Sequence, residues 1–252
     1  MTLRVAMWSG PRNISTAMMR SFENRPDTTV VDEPFYAAFL AGTALNHPMR
    51  EEVLKSQPTD WRQVAAMLAG PCPTPVFYQK HMTHHMLAEF DTDWMAECTN
   101  VFLIRRPEDV IASYREKHDQ VSLEAIGVPQ QARLFDQEAD RLGRAPTVID
   151  SADISAGPEL MLRALCEAIG IPFTERMLSW PKGRRTSDGV WAPAWYDQVE
   201  QSTGFVTKAK LAPPELPVNL KTIADAARPY YERLAKWKLG EDGARGRPPA
   251  GT

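Results

Sequence analysis

Cysteine is scarce: only Cys72, Cys98 and Cys166 occur in 252 residues, and they stand far apart. An odd number at that spacing suits neither a disulfide framework nor a zinc knuckle, and it points to a reducing, cytoplasmic setting. Excess charge of one sign is also lacking. Lys and Arg total 29 against 32 Asp and Glu, giving a net charge of −3 and a pI near 6.0. No global field draws such a chain to nucleic acid or to an anionic membrane, so neither is expected as a partner and any anion site must be local. No run of 18 apolar residues, no cleavage signature, no internal repeat and no linker interrupts the sequence, which reads as one soluble, untargeted domain over residues 1–240. The last twelve residues, EDGARGRPPAGT (241–252), read as a flexible tail.

With 43% hydrophobic and 24% charged residues, the chain can bury one sizeable core. Short β-branched runs at 3–8, 28–31, 75–79, 100–104 and 146–150 read as buried strands, each followed by helical apolar spacing. Helices are expected from near Ile14, after Pro107, over 156–170 and 173–179, and over 219–238. The alternation predicts an α/β fold with three αβα layers around a central parallel sheet of about five strands.

In such sheets ligands sit beyond the carboxyl ends of the strands, and those positions are polar here. Ser9–Thr16 follow the first strand, Asp32 and Glu33 the second, Lys80 and His81 the third, Arg105 and Arg106 the fourth, Ser151 and Asp153 the fifth. In the stretch SGPRNIST (9–16), the Gly-Lys pair of a nucleoside-triphosphate loop is missing. Even so, the Asn13–Thr16 amides, the Ser15 and Thr16 hydroxyls and the Arg12 guanidinium can converge as an anion socket. The alternative is an ordinary strand-to-helix turn capped by Asn13 or Ser15.

SGPRNISTAMMRSF and FLIRRPEDVIASY together resemble the two cofactor-binding segments of the sulfotransferases that use 3′-phosphoadenosine 5′-phosphosulfate (PAPS). The resemblance implies a P-loop NTPase-like fold. It assigns the 5′-phosphosulfate to Arg12, Ser15, Thr16 and the amides of Asn13 and Ile14, and the 3′-phosphate to Arg105 and Ser113 in the pattern completed by Pro107 and Asp109. TVIDSADISAGPELMLRALCEAIGIPF (147–173) is similar to the family's following strand, acidic loop and helix. KGRRTSDGVWAPAW (182–195) is similar to its C-terminal basic-Gly-Trp loop, which implies cofactor contacts from Arg184, Arg185 and Trp191. The family usually carries Gly where this chain has Ile14, whose side chain must enter the core or push the anion outward.

The implied reaction is in-line sulfuryl transfer to a hydroxyl or amine of a small-molecule acceptor, with Arg12 stabilising the leaving oxygen. Glu33 matches the base of the bacterial carbohydrate and tyrosyl-protein branches. His81 lies one residue early for the base of the cytosolic branch, and Lys80 could neutralise charge or pair with Asp32 or Glu33. His81 and His85, four apart on an expected helix, make a conceivable metal pair, but no carboxylate lies at ligand spacing and no metal is expected. Phe35, Tyr36 and Phe39, with Trp191, Trp195 and Tyr196, could wall the acceptor pocket or be core. A homodimer is one assembly such a chain could form. A small-molecule kinase or nucleotide hydrolase on the same architecture, and a non-catalytic nucleotide-binding protein, are the competing readings.

Overall fold

The β-branched runs become the strands of one sheet in the computed structural model, which describes residues 2–117, 120–207, 209 and 212–240. They are β1 (Leu3–Ser9), β2 (Thr28–Asp32), β3 (Val76–Met82), β4 (Thr99–Ile104) and β5 (Thr147–Asp150), all parallel in the order β2-β3-β1-β4-β5. The inner strands are covered on both faces, which is why they read as continuous apolar runs and not as alternating ones.

The helices are α1 (Ser15–Glu23), α2 (Tyr36–Ala41), α3 (Arg50–Ser56), α4 (Trp61–Ala69), α5 (Pro107–Tyr114), α6 (Val128–Leu142), α7 (Ser151–Ala156), α8 (Pro158–Ile169), α9 (Ala192–Trp195), α10 (Asp197–Glu200) and α11 (Val218–Ala235). Successive β1 side chains point to opposite faces. Val5 and Met7 meet Met18, Met19 and Phe22 of α1 and Leu162 and Leu165 of α8. Ala6 and Trp8 meet Val64 and Leu68 of α4, Leu134 and Phe135 of α6 and Leu234 of α11. Each fully buried side chain of this size stabilises the fold by roughly 1.5–3 kcal/mol. The result is the expected three-layer αβα architecture. Among the described residues, no helix is long and apolar enough to cross a membrane.

Several boundaries differ from the expectation. β3 runs on to Met82, so Lys80 and His81 are strand residues on opposite faces of the sheet and do not lie beyond its end. Residues 83–85 form a single 3-10 turn, so His81 and His85 do not share a helix face. The helix expected over 156–170 begins afresh at Pro158, which suits a first helical position, after Gly157 ends α7. The 173–179 segment holds only a 3-10 turn, Glu175–Leu178. After α11, Lys238 bridges to Val148 and the Leu239 amide donates to the Val148 carbonyl, so chain expected to be helical instead flanks the edge of β5. The tail expected at 241–252 lies outside the described residues.

The chain leaves β1 toward β2 and β3 on one side and later adds β4 and β5 on the other. The crevice at this switch of direction opens beyond the carboxyl ends of β1 and β4.

Candidate functional site

Residues 10–14 fill that crevice. The Asn13 side-chain Nδ2 donates to the Leu103 carbonyl at 3.2 Å, and Gln131 of α6 donates to the Trp8 and Leu103 carbonyls, which fixes the ends of β1 and β4 side by side. Gly10 permits a close approach from the far side: a Cβ there would lie 2.4 Å from the Ile126 carbonyl oxygen. Arg12 and Ile14 then adopt left-handed backbone, with φ of 61° and 53°. For a β-branched residue this is strained, and strain of this kind concentrates where the chain is shaped for a ligand. Ile14 precedes α1 and does not begin it, and its side chain packs on the α1 core cluster, so it points inward. Among the described residues no side chain caps α1, whose first amides lack intrahelical partners beside the Ser15 and Thr16 hydroxyls.

Two guanidiniums meet this helix end. Arg12 Nε donates to Ser113 Oγ of α5 at 2.9 Å, and the Arg105 guanidinium donates to the Arg12 carbonyl. Neither arginine forms an ion pair among the described residues, because Asp109 is engaged by Arg106 through two hydrogen bonds of 2.9 and 3.1 Å. Burial pushes Arg105 below its ordinary value; Asp109 opposes this and the adjacent Arg12 adds to it. A bound anion would relieve both arginines. Arg12, Asn13, Ile14, Ser15, Thr16, Arg105 and Ser113 are thus brought together.

On β3, the strand paired with β1, and on neighbouring β2 lies a second cluster, on the sheet face that α1 covers. Lys80 Nζ donates to Asp32 Oδ1 at 2.8 Å, to Glu33 Oε1 at 2.6 Å and to Tyr196 Oη at 2.7 Å. Those bonds use all three ammonium protons. Tyr196 donates onward to Asp32 Oδ2 at 2.6 Å and accepts from Trp191 Nε1, while the Gly189 amide also donates to Asp32. Burial disfavours the Lys80 charge, but Asp32 and Glu33 outweigh it and hold the ammonium well above its ordinary pKa. Glu33 is the cluster's opening to solvent: its side chain is 11% exposed, against 1% for Lys80 and Asp32. Burial raises the Glu33 carboxyl above the usual carboxylate range although Lys80 opposes the shift. Its backbone, at φ 39°, is also strained.

The aromatic groups on either side of the sequence join here: Tyr36 and Phe39 pack with Trp191, Tyr196 and the half-buried Trp195. Phe35 instead turns to the opposite face, near Trp8. His81 also lies on that face, stacked on Trp8 at 4.3 Å and hydrogen-bonded to Gln79 at 3.2 Å. Burial pushes it down to about 3. It does not reach Glu33.

Arg184 and Arg185 lie elsewhere. Arg184 is 3.8 Å from Glu200, and Arg185 is 3.7 Å from Glu23 at the far end of α1, a helix roughly 12 Å long. Arg20, on the same helix, anchors this segment through Asp188 at 2.6 Å. Trp191 is brought to Lys80 and Tyr196, not to Arg105. The sequence named Asp32 only as a partner for Lys80, Tyr196 only as a wall residue and His85 only as half of a metal pair. An acid directly before Glu33 and a lysine inside an apolar strand were the available signals; nothing in the spacing reported that Tyr196 meets Lys80 or that His85 faces Glu33. Among the described residues no group of three or more His, Cys, Asp or Glu side chains is arranged to hold a metal ion.

Comparison with known proteins bears on this arrangement. Residues 3–237 match the family model described as a sulfotransferase domain. The chain is 35% identical over 228 residues to branched-chain-amino-acid aminotransferase-like protein 1 of Arabidopsis thaliana, covering 90% of this chain and 40% of that protein. It therefore spans less than half the length of that curated relative. Among solved structures it resembles the sulfotransferase domain from the curacin biosynthetic pathway, with a TM-score of 0.56, 16% identity, and coverage of 90% of this chain and 98% of that one. It also resembles mouse sulfotransferase SULT7A1 complexed with PAP, with a TM-score of 0.52, 12% identity, and coverage of 92% and 85%.

Proposed function

This chain belongs to the sulfotransferase domain family, and on that premise we propose that it transfers a sulfuryl group from PAPS to a hydroxyl or amine of a small-molecule acceptor. One observation carries the reading. Arg12 and Arg105 bring two guanidiniums without ion-pair partners among the described residues to the uncapped start of α1, at the switch point of a parallel sheet. Such a site suits a ligand with two separated anionic groups. In this reading the 5′-phosphosulfate lies over the α1 amides with Arg12, Ser15 and Thr16, and the 3′-phosphate lies against Arg105 and Ser113. Support for a PAPS-type donor comes from the fold shared with a relative complexed with PAP.

Glu33 acts as the base. Its oxygen takes the acceptor proton as the acceptor attacks sulfur in line, and Arg12 with the α1 amides stabilises charge on the departing phosphate oxygen. Lys80 is held in three hydrogen bonds as an ammonium and so is not poised as a nucleophile. Its role is to neutralise and orient the two carboxylates. The aminotransferase wording belongs to relatives of which this chain spans 40%, and a Schiff-base lysine would need a free amine that Lys80 does not supply.

The test is thermal stabilisation by 3′,5′-ADP, 5′-AMP and ATP, with and without Mg²⁺, followed by radiolabel transfer from PAPS. A sulfotransferase prefers 3′,5′-ADP without Mg²⁺ and yields labelled product. Stronger stabilisation by ATP with Mg²⁺ would return the kinase reading; binding of 3′,5′-ADP without transfer to any acceptor would return the non-catalytic one.

A further inference from the structure

Glu33 has two carboxylate oxygens, and the fold uses one. Oε1 accepts from Lys80, whereas Oε2 forms no hydrogen bond among the described residues and stands 3.9 Å from His85 Nδ1. That nitrogen is buried and likewise has no hydrogen-bond partner. The ring, 2% exposed, is held by stacking on Tyr36 at 4.4 Å and on Phe39 at 4.9 Å. Leaving a buried ring nitrogen unpaired is destabilising. A separation of 3.9 Å is too long for a direct bond, yet one atom placed about 2.8 Å from each group bridges them.

We infer that this bridging atom is the acceptor's nucleophilic oxygen, so that His85 is a further substrate-contacting residue and favours hydroxyl over amine acceptors. The inference rests on the reading of Glu33 as the base. A hydroxyl oxygen carries one proton and two lone pairs. The proton passes to Glu33 Oε2, one lone pair forms the new bond to sulfur, and the other accepts from His85 Nδ1–H. The bond between sulfur and the 5′-phosphate oxygen breaks, and its electron pair stays on that oxygen. An amine nitrogen has a single lone pair, which must attack sulfur. With an amine in place, the His85 donor is left unpaired in a buried site, and the transition state loses one hydrogen bond. Burial, followed by the neighbouring His84, His47, Lys80 and His81, holds His85 well below its ordinary pKa, in keeping with a neutral ring that donates from one nitrogen only.

Two variants test this in the intact chain. His85→Phe keeps the stack on Tyr36 and Phe39 and removes the ring nitrogens; His85→Asn restores a donor near the Nδ1 position. The probes are PAPS with a matched pair, 4-methylphenol and 4-methylaniline, and with the pair 2-phenylethanol and 2-phenylethylamine. The parent chain should favour the hydroxyl member by about tenfold or more, the effect of one lost transition-state hydrogen bond. His85→Phe should lower kcat for the hydroxyl acceptor by about tenfold and leave the amine rate and the 3′,5′-ADP Kd unchanged, so that the ratio falls toward one. His85→Asn should recover part of it. A parent chain that prefers the amines or accepts neither alcohol nor phenol overturns the inference, as does an unchanged ratio in His85→Phe. If His85→Phe does not fold, as judged by 3′,5′-ADP binding, the parent ratio and His85→Asn decide. Failure of the parent chain to bind 3′,5′-ADP overturns the sulfotransferase reading itself, and this inference with it.

Discussion

Arg12 Nε and Ser113 Oγ are hydrogen-bonded at 2.9 Å, joining the loop after β1 to the last turn of α5 across 101 positions of sequence. The Arg105 guanidinium grips the same loop through the Arg12 carbonyl. The segments proposed to hold opposite ends of the donor are therefore one mechanical unit, and a shift of either one moves the other.

Replacing Arg105 by Ala should cost 3′,5′-ADP binding roughly 1.5–3 kcal/mol, the value of a hydrogen bond to a charged group, or about 10- to 100-fold in Kd. Binding of 5′-AMP should change little. Titration calorimetry with both nucleotides checks this; equal weakening of the two would place Arg105 away from the 3′-phosphate.

Glu33→Gln should retain 3′,5′-ADP binding and lose about 10²-fold or more in turnover, the usual contribution of a general base. The base must be ionised to work, so activity falls as pH drops through its pKa. Burial raises that pKa, so the acid limb of kcat should lie above the ordinary carboxylate range. A pH–rate profile whose acid limb sits at or below that range would separate Glu33 from the proton transfer.

Much of this was legible beforehand, for reasons that differ between residues. The five strands announce themselves because a parallel sheet covered on both faces needs unbroken apolar runs. The Arg12 and Arg105 segments were legible because each directly follows a strand and opens a helix. The end of the third strand was placed three residues early, at Gln79 and not at Met82, because a strand end within an apolar run has no local marker, and that shift put Lys80 and His81 beyond the sheet when they stand on its two faces. Tyr196 was named only as a wall residue. Its hydrogen bond to Lys80 spans 116 positions, and no periodicity encodes a contact at that range.

The buried histidines predict a pH-dependent stability. His81 and His84 are pushed down to about 3 by burial, and His85 well below its ordinary value. Below about pH 6.5 the unfolded chain takes up protons on these rings and the folded chain does not, so stability present above that pH is lost as pH falls toward 3. Each ring contributes up to about 1.4 kcal/mol per pH unit. His81→Phe, which can keep the stack on Trp8, should reduce the loss between pH 7 and pH 5 by about 2 kcal/mol in urea titrations. An unchanged loss would mean that His81 takes up a proton in the folded state.

Ile14 reverses a common rule. In a helix interior Gly is less stable than Ala by about 1 kcal/mol. At φ 53° the order should invert, since left-handed backbone costs a residue with a Cβ roughly 1–2 kcal/mol and Gly nothing. Both substitutions lose the contacts of the Ile14 side chain with the α1 cluster, so their difference isolates the backbone. Ile14→Gly should melt above Ile14→Ala and bind 3′,5′-ADP at least as well. The opposite melting order would show that the loop relaxes to right-handed backbone when the isoleucine is removed.

The bond from Lys80 to Tyr196 also bears on how the chain matures during synthesis. All five strands are complete by Asp150, so the sheet can form while the segment that carries Gly189, Trp191 and Tyr196 is still inside the ribosome. Until Tyr196 emerges, Lys80 lacks its third hydrogen bond and Asp32 lacks both the Tyr196 hydroxyl and the Gly189 amide. Those charges must stay hydrated in the meantime. The face of β2 and β3 proposed as the acceptor side is therefore among the last parts of the sheet to dry, and a nascent chain stalled before Tyr196 should carry a sheet whose Lys80 remains open to amine-directed labelling.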